Sequence, residues 1–177
     1  ASVRRELASS LTAEEVGKVL AWLDSDLGAR ITALEGRSGE PDQMALRKTE
    51  APKLLAETPP ARVEQIRGLL RAFHWGESMA SMLFHTSEGI TRGLSVEDPA
   101  AGAKALAQLE ATMESKGAAM TEMLELESLP TFVFIYRNLT EPELAGYQAF
   151  LESPVGRRFN AATLAAIDKA MAEAAES

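Results

Sequence analysis

Residues 11–35 read LTAEEVGKVLAWLDSDLGARITALE, and residues 139–163 read LTEPELAGYQAFLESPVGRRFNAAT. Laid together at an offset of 128, they are identical at 9 of 25 positions. These are Leu11/Leu139, Thr12/Thr140, Glu15/Glu143, Ala21/Ala149, Leu23/Leu151, Ser25/Ser153, Gly28/Gly156, Arg30/Arg158 and Ala33/Ala161. Unrelated stretches of this length share about one or two. Trp22/Phe150, Asp24/Glu152, Leu27/Val155 and Ile31/Phe159 keep the chemistry without the identity. The chain therefore contains an internal repeat, and the shared positions decide the fold.

Each shared position has a helical job. Thr12 with Glu15, and Thr140 with Glu143, form Thr-x-x-Glu capping boxes, in which the threonine oxygen and the glutamate carboxylate satisfy free N–H groups of the first turn. Behind the caps, Val16, Val19, Leu20, Leu23 and Leu27, and likewise Leu144, Tyr147, Leu151 and Val155, recur at helical spacing. Ser153-Pro154 then restarts the chain, with serine as N-cap and proline at the first helical position. Ser25-Asp26 occupies the same place in the first copy. Each copy is thus a helix–bend–helix. Gly28 and Gly156 fall just inside the second helices, where glycine costs about 0.8–1 kcal/mol relative to alanine; a close contact at the bend is the expected reason. Arg30 and Arg158 read as partners of helix-end carbonyls or of Asp24 and Glu152, in preference to an anion site.

Outward from the copies the punctuation stays helical. Residues 36–41 (GRSGEP) form a loop, and residues 42–57 a shorter helix disturbed by Pro52. Pro59-Pro60 opens a long helix expected to run to about Gly93. Asp98-Pro99 caps another, carrying Leu106, Leu109, Met113, Gly117, Met120 and Leu124 in one stripe; the Gly117-Ala118-Ala119 notch is expected at a close helix crossing. Residues 131–136 (TFVFIY) have strand composition, but a lone strand leaves its backbone unpaired, so the expectation is helix. The predicted fold is all-α: one domain, residues 1–177, a helical bundle with two similar bent hairpins (11–35 and 139–163) around long central helices.

Composition narrows the function. The chain has 177 residues, 46% of them hydrophobic and 25% charged, with a net charge of −8. No basic cluster is present, which argues against nucleic acid or an anionic membrane as partner. There is no cysteine, hence no thiol nucleophile and no cysteine-based zinc site. No stretch reaches the ~18 apolar residues of a transmembrane segment. Ala1 in place of methionine reads as a mature end left after a signal peptide is removed.

Candidate chemistry lies between the copies. In residues 73–88 (FHWGESMASMLFHTSE), His74, Glu77, Ser81, His85 and Glu88 fall within about 80° of one another on a continuous helix, a single polar stripe. The two His-x-x-Glu pairs suggest metal ligation. Eleven residues, however, separate the histidines by roughly 16 Å along a helix, too far to share an ion. A solvated stripe of His–Glu contacts needs fewer partners and is the preferred reading, so no metal or other cofactor is assigned. There is no Gly-x-Ser-x-Gly elbow and no phosphate-binding glycine loop, and no catalytic residue is nominated. Met79, Met82, Met113, Met120 and Met123 sit among leucines and aromatics; they read as core before peptide groove.

The run Tyr136-Arg137-Asn138-Leu139-Thr140, Glu143-Leu144, then Ala149-Phe150-Leu151-Glu152-Ser153-Pro154-Val155-Gly156 resembles the signature of domain-of-unknown-function family twenty-fifty-nine. Leu151 stands where that family usually has an aromatic residue. The resemblance, extended through the upstream partial copy to most of the chain, implies an exported, periplasmic, all-helical bacterial protein and supplies no catalytic residues. The functional expectation is a non-enzymatic binding or interaction module of the envelope, taking a protein, peptide or apolar ligand. Two alternatives stand beside it: a metal-dependent hydrolase using the His/Glu stripe, and a structural homodimer formed through an exposed 131–136 face.

Overall fold

The computed structural model describes residues 10–96 and 98–175; Ala1, read as a mature end, and Glu97 of the loop after the long helix lie outside them. Among the described residues there are eight helices and no strand: α1 (Ala13–Leu23), α2 (Asp26–Arg37), α3 (Pro41–Glu57), α4 (Pro60–Ala72), α5 (Trp75–Leu94), α6 (Pro99–Ile135), α7 (Glu141–Glu152) and α8 (Pro154–Ala175). The fold is an all-α bundle.

Both repeat copies fold as their caps dictate. Thr12 Oγ1 accepts from the Glu15 N–H, and the Glu15 carboxylate accepts from the Thr12 N–H at 2.8 Å. Thr140 and Glu143 repeat the box, with the return bond at 2.7 Å. At the bends, Ser25 Oγ accepts from the Gly28 N–H at 3.1 Å and donates to the Trp22 carbonyl at 2.6 Å. Ser153 Oγ does the same with Gly156 at 3.0 Å and Phe150 at 2.6 Å. A Cβ added to Gly28 would run into the Trp22 carbonyl oxygen, and one added to Gly156 into that of Phe150. The repeated glycine is the price of so sharp a bend.

The copies then bind each other. Trp22 stacks on its own counterpart, Phe150, with centroids 4.0 Å apart and rings 9° from parallel. Arg30 of α2 pairs with the cap glutamate Glu143 and donates to the Asn138 carbonyl at 2.7 Å. Arg158 of α8 pairs with the other cap glutamate, Glu15, at 2.7 Å and donates to the Ser10 carbonyl at 3.1 Å. Every residue in one set is the offset-128 counterpart of a residue in the other. Such reciprocity is the mark of a two-fold interface, here formed within one chain. The carbonyl half of the expectation for the arginines holds; their acidic partners are the cap glutamates of the opposite copy, not Asp24 and Glu152.

The core lies where this pair meets the end of α6. Leu129, Phe132, Val133, Ile135 and Tyr136 pack with Ile66, Leu69 and Leu70 of α4 and with Leu144, Tyr147 and Leu151 of α7. Arg62 closes the end of α6 by donating to the carbonyls of Tyr136 at 2.9 Å and Leu139 at 2.6 Å. Residues 131–135 are helical, as expected, but phenylalanines 132 and 134, Val133, Ile135 and Tyr136 are buried. The face expected to support a homodimer is therefore core.

The expected single helix from Pro60 to Gly93 is broken. His74 takes a left-handed conformation (φ 54°, ψ 39°), unique among the described non-glycine residues. Such a residue costs about 1–2 kcal/mol, and neighbours offset it. Asn160 donates to the Phe73 carbonyl at 2.9 Å, and the His74 carbonyl accepts from Ser78 N at 3.0 Å and Ser78 Oγ at 2.7 Å. The break turns α5 onto α6. Gly76 meets Thr121 so closely that a Cβ would lie 2.6 Å from its carbonyl oxygen, and Trp75 Nε1 donates to Ser128 Oγ at 2.7 Å. Tertiary packing overrides a helix that local propensity would continue.

Candidate functional site

α5 and the first two-thirds of α6 form an arm. Gly76 against Thr121 and Gly102 against Ser95 are two close contacts along the arm. Both pairs of numbers add to 197, so the two helices run antiparallel, which brings Glu77, Ser81 and His85 of α5 alongside Thr121, Gly117 and Met113 of α6. These residues, with Ala80 and Phe84, line a groove of about 450 Å³ running beside the α5/α6 seam. Its floor is apolar. A Cβ added to Gly117 would meet nothing within 4 Å, so the notch expected at a helix crossing is instead a dip in the groove.

The arm is thinly covered. On α6 no residue between Gly102 and Glu125 is buried, and on α5 only Gly76 and Ala80 are. Met79, Met82, Met113 and Met120 are half-buried and Met123 is exposed, so none sits in the closed core where these methionines were expected. Across the seam from the groove, Leu83, Ile90 and Leu94 make a second apolar stripe, 43%, 59% and 82% exposed.

The polar stripe divides. Glu77, Ser81 and His85 line the groove, while His74 sits in the α4–α5 break and no longer follows the α5 phase. His74 Nδ1 lies 3.7 Å from Glu77 Oε1, too long for a hydrogen bond. His85 Nδ1 is 3.4 Å from Glu88 Oε2, and Glu88 Oε1 accepts from Arg92 at 2.6 Å. The Arg92 bond, helped by His85 and opposed by desolvation, holds the Glu88 carboxyl below the usual carboxylate range. Among the described residues, no three His, Asp or Glu side chains converge as metal ligands would. The metal-hydrolase alternative has no geometry to support it.

A second polar cluster escaped the reading of the sequence. The hydroxyls of Tyr136 and Tyr147 both donate to Glu35 Oε1, at 2.6 and 2.8 Å. Burial raises the Glu35 carboxyl against the effect of these two bonds, and burial beside Glu35 raises both phenols. Tyr136 and Tyr147 are the chain's only tyrosines. Glu35 is the last residue of the first copy, where the second has Thr163, so the cluster is a departure from the repeat. That asymmetry was the available signal. The three residues tie α2 to α6 and α7 and face the core, so they hold the bundle.

These features define an all-helical protein with a pseudo-symmetric hairpin pair and an unduplicated two-helix arm. Residues 133–177 match the family described as "Uncharacterized protein conserved in bacteria (DUF2059)". The match covers the end of α6, α7 and α8; the first copy and the arm lie outside it, so it spans less of the chain than the resemblance suggested. No curated protein and no solved structure matches the chain.

Proposed function

We propose that this chain is an exported, non-enzymatic binding module of the bacterial envelope, and that it takes its partner along the α5/α6 groove. One observation carries the reading: the groove's apolar floor is open, while the caps, bends and Glu35 cluster are committed to holding the bundle. Open apolar surface beside a helix seam is where helical proteins take ligands and partner helices. The envelope location rests on the C-terminal resemblance.

A photo-crosslinking side chain at Ser81, with one at exposed Lys53 of α3 as control, tests the binding surface in living cells. A discrete adduct from Ser81 and none from Lys53 is expected. No adduct, or the same adducts from both positions, overturns the reading. Fractionation of cells expressing the full-length gene product tests the location, and recovery from the cytosol alone overturns it.

A further inference from the structure

We infer that the groove's occupant is a short, basic, amphipathic helix; this rests on reading the groove as a binding surface. Three observations define it. First, both walls are helices whose backbone groups bond within their own turns, so the groove offers no free N–H or C=O edge. An extended peptide would lose its backbone hydrogen bonds to water there and gain none, whereas a helix arrives with its own satisfied.

Second, the floor of Ala80, Phe84, Met113 and Gly117 is apolar, and its dip at Gly117 has room for a large side chain. From Glu77 to Glu88 the groove side of α5 runs about 16 Å, three turns of a docked helix. Third, the rim is acidic. Glu77 and Glu88 lie on the groove side of α5. On α6, Glu110 and Glu114 are exposed and fall on the same side of the seam as Thr121, at 100° per residue. Lys116 and Lys104 of α6 point to the other side or directly away. The one cation on the groove side of α5, Arg92, is bonded to Glu88. Apolar floor and carboxylate rim on both walls complement a helix with leucines on one face and lysines or arginines flanking it. The Leu83/Ile90/Leu94 stripe has no such charge pattern.

The test uses the full chain and three synthetic peptides of about 12 residues: a Leu/Lys amphipathic helix, its Leu/Glu counterpart, and the Leu/Lys sequence with a central proline. Binding is followed by NMR titration of labelled protein. The Leu/Lys helix is expected to bind, with shifts at Ser81, His85 and Gly117, at least tenfold tighter than the other two. Gly117→Leu fills the dip at a position where the helix tolerates leucine, and is expected to weaken binding at least tenfold with unchanged circular dichroism. Glu110→Gln/Glu114→Gln weakens it several-fold and reduces its salt dependence. Equal binding of the Leu/Glu peptide overturns the inference and leaves the groove a binding surface. So does failure of all three peptides while the Ser81 crosslink persists. Loss of both the Ser81 crosslink and peptide binding overturns the inference together with the proposed function. Binding that survives Gly117→Leu but fails in Ile90→Gln/Leu94→Gln moves the site to the other face and overturns the inference.

Discussion

Replacing Glu35 gives the sharpest test of how the bundle is held. Its Oε1 is the shared acceptor for Tyr136 and Tyr147, and those tyrosines are 0% and 4% exposed. Glu35→Ala leaves two phenol hydroxyls without a partner in a nearly dry core. Each orphaned buried hydroxyl costs about 1–3 kcal/mol. Glu35 itself is only partly buried, so water can enter the space it vacates and moderate the loss. The expected cost is therefore about 2–4 kcal/mol. In a chain of this size each kcal/mol moves Tm by roughly 2–4 °C, so Tm should fall by roughly 5–15 °C. Glu35→Gln keeps an acceptor oxygen for both hydroxyls and removes only the charge, so its cost should be about 1 kcal/mol or less. The charge has a definite sign. Burial raises the Glu35 carboxyl above its ordinary value of 4.5 in the folded state. Protonated Glu35 is thus favoured by folding, and its contribution is fully present below pH 4.5 and lost as pH rises through the raised value. Urea unfolding of wild type, Glu35→Gln and Glu35→Ala between pH 4 and pH 8 measures both effects. The stability of wild type relative to Glu35→Gln should decline as pH rises. An unchanged difference across that window, or equal costs for Gln and Ala, would refute the reasoning.

The bends and the break make further predictions. Gly156→Ala drives a methyl into the Phe150 carbonyl and should cost about 2–3 kcal/mol by overpacking, whereas Gly117→Ala, with open space around it, should add about 0.5–1 kcal/mol; denaturant midpoints of the two variants should move in opposite directions. His74→Gly removes the left-handed strain at the α4–α5 break and should raise stability by about 1 kcal/mol, and a fall in the urea midpoint would show that the imidazole's contacts outweigh its backbone strain. The Thr12 and Thr140 bonds, with Arg158 and Arg30 assisting, hold the Glu15 and Glu143 carboxyls below their ordinary 4.5. Their contribution is present above pH 4.5 and lost as pH falls through the lowered values, so Glu15→Gln/Glu143→Gln should flatten the acid limb of a stability–pH profile without altering its alkaline side.

How much was legible depends on whether a feature is written along the chain or across it. Thr12, Glu15, Ser25 and their counterparts act within a few residues of themselves, so each cap and bend could be read from spacing. The reciprocal pairing of Arg30 with Glu143 and Arg158 with Glu15 was half legible: four identical residues announced a shared role. Nothing along the chain said that each arginine crosses to the other copy. The break at His74 carries no proline, and its only nearby glycine, Gly76, serves a contact with Thr121 that lies 45 residues away. For the same reason the polar stripe was drawn one residue too long. The groove was the least legible element, because Gly117 reads identically whether a helix crosses it or solvent does.

The division of labour between repeated and unrepeated residues has a physical logic. Two copies of one hairpin can satisfy each other's caps only by facing each other, so the Trp22/Phe150 stack covers part of both hairpins, and the paired arginines, about half exposed, are tied to the opposite cap. The arm stands under no such constraint. It is pinned at its root by Gly76 on Thr121, by Trp75 on Ser128 and by α8 packed against α5, and at its tip by Gly102 on Ser95, and its remaining flanks are left open by the other described elements. A single seam buries too little apolar surface to stabilise two helices alone. The arm therefore borrows its stability from the bundle at its root, and the bundle gains from it a span of open helix surface that the symmetric half cannot provide.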